Sequence, residues 1–187
     1  MHYLFRPDDD ATVAHFAALA ERTGMPVIIY NVVPWTYLSP PLLARIIEAV
    51  PGVIGVKQSA GDLKLLADLL LLVGSRARVM SAVDALLYPS FALGAHGAIA
   101  AILTAAPTLC VALWDAVQAG DHKRALELHE KLLPLWNAIA GDNLPANVRC
   151  CQELQGRPAG VPRAPMPPTS PGQRGPIRRA LADAGLL

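Results

Sequence analysis

Cysteine is scarce in this sequence, and its spacing suits neither a disulfide framework nor a zinc site. The three cysteines, Cys110, Cys150 and Cys151, are an odd number, none stands in a C-x-x-C pair, and no histidines follow at ligand intervals. Disulfides belong to oxidising compartments, so a reducing environment is expected. The N-terminal residues also lack the basic-then-apolar layout of a signal peptide, and we predict a cytoplasmic protein.

Charged residues are few as well, at 17% of the chain. Sixteen basic residues against fifteen acidic ones leave a formal charge of +1, and no stretch concentrates lysine and arginine beside aromatic residues. Binding to nucleic acid is therefore not expected. With 187 residues and 53% hydrophobic content, the chain is long and apolar enough to bury a sizeable core.

One long segment has no charge at all. Residues 85–114 contain no Asp, Glu, Lys or Arg, and this length exceeds the roughly 20 apolar residues that span a bilayer. Pro89, Gly94, Gly97 and Pro107 interrupt the segment, and its pieces have the size of helices or buried strands in an α/β core. We predict no membrane contact, and a small membrane protein built on this segment is the alternative.

Apolar, strand-like runs alternate with helical patterns, which is typical of repeated βα units and a parallel sheet. Four strands are predicted, at residues 27–30, 53–57, 77–83 and 97–102. Helices are predicted around them, at about residues 10–22, 40–50, 62–74 and 84–93. Ser39 before a proline and Asp62 before a leucine-rich run are the clearest helix starts.

From residue 108 onward the periodicity is helical. Helices are predicted at residues 109–119, 121–140 and 146–155, then a proline-rich extended segment at 156–175 and a last helix at about 177–184. The predicted organisation is therefore a partial (β/α) domain at residues 1–107 and a helical C-terminal extension at residues 108–187.

Two of the predicted strands end on a side chain that can handle protons, Tyr30 on the first and Lys57 on the second. The carboxyl ends of parallel strands share one edge of a sheet, so we expect these side chains to converge. A lysine at the end of an apolar strand loses hydration, which disfavours its charged form, and a neutral amine forms a Schiff base with a carbonyl. A nearby phenol can donate and accept protons. From position alone, a solvated lysine and a packed aromatic are the alternatives.

Three motifs, Ile28–Val32, Gly55–Asp62 and Gly94–Ile99, resemble in order and spacing the dihydrodipicolinate synthase and N-acetylneuraminate lyase family. The resemblance implies a (β/α)₈ TIM barrel, of which this chain carries the second half, about four βα units, and a helical domain. It further implies an imine between Lys57 and pyruvate or a related 2-oxo acid, and proton relay by Tyr30. The backbone carbonyl of Ile99 would line the 2-oxo acid pocket. Aldol condensation with an aldehyde, or the reverse cleavage, would follow without a metal or organic cofactor.

The chain departs from the family pattern at Trp35, where many synthases have an arginine that holds a substrate carboxylate. An indole cannot form that ion pair, so a lyase or aldolase with a bulkier or more apolar partner is equally expected. Asn31, Thr36 and Ser59 could orient a substrate, although turn and cap roles explain them equally well.

The second departure is length. A complete barrel takes eight strands and about 250 residues, so the chain is expected to begin near the end of the fourth βα unit. An open half-barrel leaves two sheet edges unpaired, and such edges promote aggregation unless another chain covers them. The alternative to an active lyase is a truncated, non-catalytic remnant, or a subunit completed by a complementary N-terminal half or by other copies of itself in a homo-oligomer.

Overall fold

A computed structural model of the protein describes residues 5–59 and 62–187, in two compact units. The first unit comprises Met1–Val83 and Pro89–Ile99, and the second comprises Asp84–Tyr88 and Ala100–Leu187. The predicted domain division at residues 107 and 108 stays a prediction.

A three-stranded parallel sheet organises the first unit. Its strands lie in the order β1 (Val27–Asn31), β2 (Val53–Gln58) and β3 (Arg78–Ser81). The helices that precede and connect these strands are α1 (Asp9–Thr23), α2 (Pro40–Ala49) and α3 (Leu63–Val73). This alternation of helices with parallel strands confirms the predicted α/β class.

Short polar residues start these three helices. Each N-cap side chain accepts a hydrogen bond from a backbone N–H of the first helical turn, and the caps are Asp8, Ser39 and Asp62. Gly24 ends α1 with a φ of 61°, a left-handed conformation that glycine adopts without strain. The predicted starts of α2 and α3 are thus confirmed.

The sheet has one covered face and one open face. Ile29, Val56 and Val79 are each at most 4% exposed and lie on one face of the sheet. Helix α2 contacts β2, and α3 contacts β3. Side chains alternate between faces along a strand, and Ile28 and Tyr30 of β1 are 45% and 54% exposed. The residues predicted to carry chemistry therefore lie on the more accessible side of the sheet.

The fourth predicted strand, at residues 97–102, is wrong as a strand. A single parallel bridge joins Ser81 to Ala98, and helix α5 (Ile102–Ala105) has already begun at its end. The physical reason is that Gly97 has a φ of +149° and the residue before α5 is helical, so the backbone leaves the extended conformation on both sides of the bridge.

The described part of the second unit is helical. Besides α5 it contains α6 (Pro107–Gln118), α7 (His122–Ile139), α8 (Leu144–Leu154) and α9 (Pro171–Asp183). Its fully buried side chains include Leu113, Leu128, Leu135, Ile139, Ile177 and Leu181. A short helix, α4 (Leu87–Ala92), precedes α5 in the chain.

Two predicted boundaries need correction. Helix α9 begins at Pro171 rather than near residue 177, because Ser170 and Gln173 form a capping box and proline suits the first helical position. Asp84, predicted to open a helix directly, begins a 3-10 turn, and its Oδ1 accepts a hydrogen bond from the backbone N–H of Ile102 at 2.7 Å. The Asp84 carboxylate therefore binds the first backbone N–H of α5.

The three cysteines are buried free thiols. Burial, followed by the nearby charge of Asp84, raises the pKa of Cys110 to about 12. Burial also raises the pKa of Cys151 to about 12 and raises that of Cys150, where the Arg174 guanidinium opposes the shift. Thiols that hold their protons so firmly are poor nucleophiles at neutral pH.

The uncharged stretch at residues 85–114 is divided among α4, α5 and the start of α6. Within residues 5–59 and 62–187, no helix is both long and apolar enough to cross a membrane.

Candidate active site

Tyr30 and Lys57 lie side by side near the carboxyl ends of β1 and β2. Their Cα atoms are partners in the parallel register, and the Lys57 Nζ lies 3.6 Å from the centroid of the Tyr30 ring. Lys57 is half-buried, and Tyr30 is 54% exposed. The structure therefore brings together the amine and the phenol that the sequence predicted to converge.

The contact between them is with the face of the ring. A cation over an aromatic face is attracted by the ring quadrupole, by about 0.5–1 kcal/mol at an exposed site. The ring also covers one side of the amine, so water and ligands reach Nζ from the remaining sides. The amine thus has a preferred position while staying accessible to a small carbonyl compound.

Met80 of β3 flanks Lys57 on the side away from Tyr30, since its Cα is the register partner of Lys57. Gly97 makes room for this methionine: a Cβ at Gly97 would lie 2.8 Å from the Met80 Cε. The φ of +149° at Gly97 also disfavours any larger residue. In the order of the sheet, Lys57 therefore lies between Tyr30 and Met80.

Ile99 lies beyond β3, on the edge of the sheet that the fourth predicted strand was to extend. Its backbone N–H donates to the carbonyl of Ser81 at 2.9 Å, and its side chain is 42% exposed. One strand, β3, separates it from Lys57 in the order of the sheet. The structure therefore pairs Tyr30 with Lys57 directly and sets Ile99 one strand further along, and the roles of all three residues stay predictions.

Trp35 lies in the 3-10 turn Pro34–Thr36 that follows β1, and it is 59% exposed. Thr36, by contrast, is 3% exposed. An exposed indole at the carboxyl end of the sheet offers an apolar surface. Thr36, in the same turn, lines a cavity beside β1 together with Tyr30.

Sequence reasoning missed the pairing of Asn31 with Gln58. These side chains, 3% and 2% exposed, are joined by a hydrogen bond of 2.9 Å from Asn31 Nδ2 to Gln58 Oε1. They immediately follow Tyr30 and Lys57 in the chain. The signal available in the sequence was the alternation of side chains along each strand. This alternation places the Asn31 amide on the same face as Ile29, and the Gln58 amide on the same face as Val56.

Two histidines make hydrogen-bond contacts outside the Tyr30–Lys57 pair. His96 anchors its segment to β3, because its Nδ1 accepts the backbone N–H of Val79 at 3.1 Å and its own N–H donates to the Val79 carbonyl. In the second unit, the Tyr88 hydroxyl lies 3.4 Å from His122 Nδ1. Across the part of the chain that the structure describes, no three His, Cys, Asp or Glu side chains cluster closely enough to hold a metal ion.

A parallel sheet with helices between its strands, and with an amine and a phenol at adjoining carboxyl ends, is typical of the TIM-barrel class. The chain belongs to the dihydrodipicolinate synthetase family, whose sequence model matches residues 2–184. Its solved neighbours are TIM-barrel members of the same family.

Several sequence relatives carry the same name. The chain is similar to the 4-hydroxy-tetrahydrodipicolinate synthase of Methanopyrus kandleri, with 33% identity over 99% of this chain and 62% of that protein. It is 34% identical to the protein of the same name from Thermomicrobium roseum, over 97% of this chain and 60% of the relative. The chain thus spans about three fifths of the length of the curated relatives it matches.

A solved structure of similar shape is the chloride-inhibited dihydrodipicolinate synthase of Acinetobacter baumannii, complexed with pyruvate. Its TM-score is 0.88 at 28% identity, and the match covers 97% of this chain and 63% of the other. The fold of both described units thus recurs in a protein that binds pyruvate.

Proposed function

We propose that this protein is a lysine-dependent lyase or aldolase in which Lys57 forms a Schiff base with pyruvate or a related 2-oxo acid. The observation that supports this most directly is the half-buried amine 3.6 Å from the centre of the Tyr30 ring, at the carboxyl end of a parallel sheet. Pyruvate is the proposed 2-oxo acid because the relatives are named as synthases of one family and a similar solved structure is complexed with pyruvate.

The reaction begins when the neutral Lys57 amine attacks the ketone carbon and water leaves, so that a carbon-nitrogen double bond replaces the carbonyl. The protonated imine withdraws electrons, which allows loss of a proton from the neighbouring carbon. The resulting enamine attacks an aldehyde and forms a carbon-carbon bond, and the reverse sequence breaks one. Hydrolysis of the imine returns the amine.

Tyr30 is the proposed proton relay for these steps, because a phenol both donates and accepts. The Ile99 backbone carbonyl is proposed to line the pocket that holds the 2-oxo acid. Trp35, 59% exposed beside the strand ends, favours an aldehyde with apolar surface over one that needs an ion pair. The buried free thiols fit a reducing compartment, and we place the protein in the cytoplasm.

Reductive trapping tests the proposal. Pyruvate and borohydride should convert the imine to a stable secondary amine, which peptide mass spectrometry locates at Lys57. Lys57→Met should abolish the adduct. Lys64→Met is the matched control, since Lys64 is an exposed helical lysine paired with Asp68, and it should trap as wild type does. Adduct spread equally over surface lysines, or none at Lys57 in folded protein, would refute the proposal.

A second candidate is a subunit that acts only when another chain completes the barrel. The first unit favours it, because in the described sheet β1 pairs with β2 along one of its two edges. A cavity of about 280 Å³ opens beside β1 and is lined by residues of α1 such as Phe16 and Leu19. The share of about 62% of a relative's length agrees with this. Trapping at Lys57 that requires an added chain carrying the rest of the barrel would favour this candidate, and trapping by the isolated chain would exclude it. Light scattering would reveal a homo-oligomer.

A further inference from the structure

We propose that the buried Asn31–Gln58 amide pair is the positioning device of this site, holding Tyr30 opposite Lys57 and fixing the segment that carries Trp35. The inference rests on the proposed function for its catalytic consequence. Its structural consequence, the position of the amine over the ring, can be measured independently.

The amide pair is completely buried and well bonded. Asn31 Nδ2 donates to Gln58 Oε1 at 2.9 Å and to the Leu38 carbonyl at 3.1 Å, while Asn31 Oδ1 accepts the Leu38 N–H at 2.9 Å. Within the described ranges, no buried side-chain nitrogen or oxygen lacks a hydrogen-bond partner. A buried network in which every group is satisfied tolerates few alternative arrangements.

The pair acts through the backbone. Successive side chains of a strand point to opposite faces, so Asn31 and Gln58 project away from the face that carries Tyr30 and Lys57. Their side chains therefore lie on the opposite face from the Lys57 amine. Each is covalently adjacent to one of the two reactive side chains, and a slip of β1 against β2 would separate the two amides inside the core. The hydrogen bond therefore selects the register that sets Tyr30 opposite Lys57.

Asn31 has a second task that Gln58 lacks. Its two hydrogen bonds to the Leu38 backbone close the segment between β1 and α2, and Trp35 lies exposed within that segment. Loss of the Asn31 amide should loosen both the register and the indole, whereas loss of the Gln58 amide should loosen the register alone.

Three variants of the 187-residue chain test this. Gln58→Met keeps the approximate shape and removes the acceptor, and Gln58→Glu keeps an acceptor oxygen for Asn31 Nδ2. Asn31→Leu removes the hydrogen bond to Gln58 and the two hydrogen bonds to the Leu38 backbone. The direct readout is the NMR shift of the Lys57 ε-methylene protons, which the Tyr30 ring current moves upfield. NMR relaxation of the Trp35 indole N–H, which is resolved from the signals of Trp114 and Trp136, reports the motion of the segment between β1 and α2.

We expect the upfield shift in wild type and in Gln58→Glu, and loss of at least half of it in Gln58→Met. The NMR order parameter of the Trp35 indole N–H should fall in Asn31→Leu only. Trapping with pyruvate and borohydride should slow about tenfold in Gln58→Met at saturating pyruvate, with the half-saturating concentration changed less than twofold, and Gln58→Glu should restore the rate.

The outcomes separate the two proposals. If Gln58→Met keeps the full ring-current shift, the positioning role is overturned whatever the trapping rate. If the shifts follow the expected pattern but wild type forms no adduct at Lys57, the positioning role stands and the proposed function fails.

Discussion

Gly55 permits close approach between β2 and β3, two residues before the proposed Schiff-base lysine. A Cβ built at Gly55 would lie 2.6 Å from the backbone carbonyl oxygen of Arg78, where ordinary contacts begin at 3.4 Å. The clashing atom belongs to the neighbouring strand and cannot rotate away. Gly55→Ala must therefore push the two strands apart by several tenths of an ångström.

Overpacking of this kind costs about 1–3 kcal/mol. Gly172→Ala is the matched control, because Gly172 is exposed in the first turn of α9, its added Cβ would meet only Ser170 Oγ at 3.9 Å, and its φ lies outside the positive range. Replacing a helical glycine with alanine stabilises by about 0.5–1 kcal/mol. The same chemical change is thus expected to act with opposite sign at the two positions.

Urea titration gives the free energy of unfolding of each variant, and hydrogen exchange followed by mass spectrometry reports β2 and β3 peptides separately. Gly55→Ala should lower the midpoint and speed exchange in both strands. An unchanged midpoint with unchanged exchange in β2 would refute the argument, since it would mean that the strands separate without measurable cost.

Three further predictions concern the helical unit. Native Cys110 and Cys151 should resist iodoacetamide at neutral pH, because a pKa of about 12 in place of 9.0 leaves on the order of a thousandfold less thiolate; rapid labelling of either in folded protein would contradict this. Their folded pKa values lie above the unfolded one, so the stability they contribute is complete below pH 9 and is lost as pH rises toward 12, which urea titrations across that range would detect. Ser170→Ala removes the cap of α9 and should cost about 1 kcal/mol, while Ser170→Asp, which keeps an acceptor, should cost far less; equal exchange rates in α9 for the two variants would argue against the capping box.

The open face of the sheet links fold and chemistry. Ile28 and Tyr30 are about half exposed there, although strands of a closed barrel bury their inward-facing side chains. This exposure leaves Lys57 reachable by a small carbonyl compound. The same exposure is the physical basis for the alternative in which another chain completes the barrel, because burying the apolar surface of the sheet face would stabilise the protein.

The sequence determined the local structure, since the forces that start helices and strands act between near neighbours. Ser39 and Asp62 marked helix starts because their side chains bond N–H groups of the following turn. Apolar runs ending in Tyr30 and Lys57 marked the strands, and shared motifs indicated the family. The start of α9 differs from the predicted one although its signals, Ser170 and Gln173, are local.

Tertiary structure alone decided the register that sets Tyr30 opposite Lys57, the bond between Asn31 and Gln58, and the reduction of the fourth strand to one bridge. Asn31 and Gln58 are 27 residues apart, and no periodicity connects them. Such partners meet only after the chain has crossed over through a helix, and the burial that makes their hydrogen bond selective exists only once the sheet and its helices have packed.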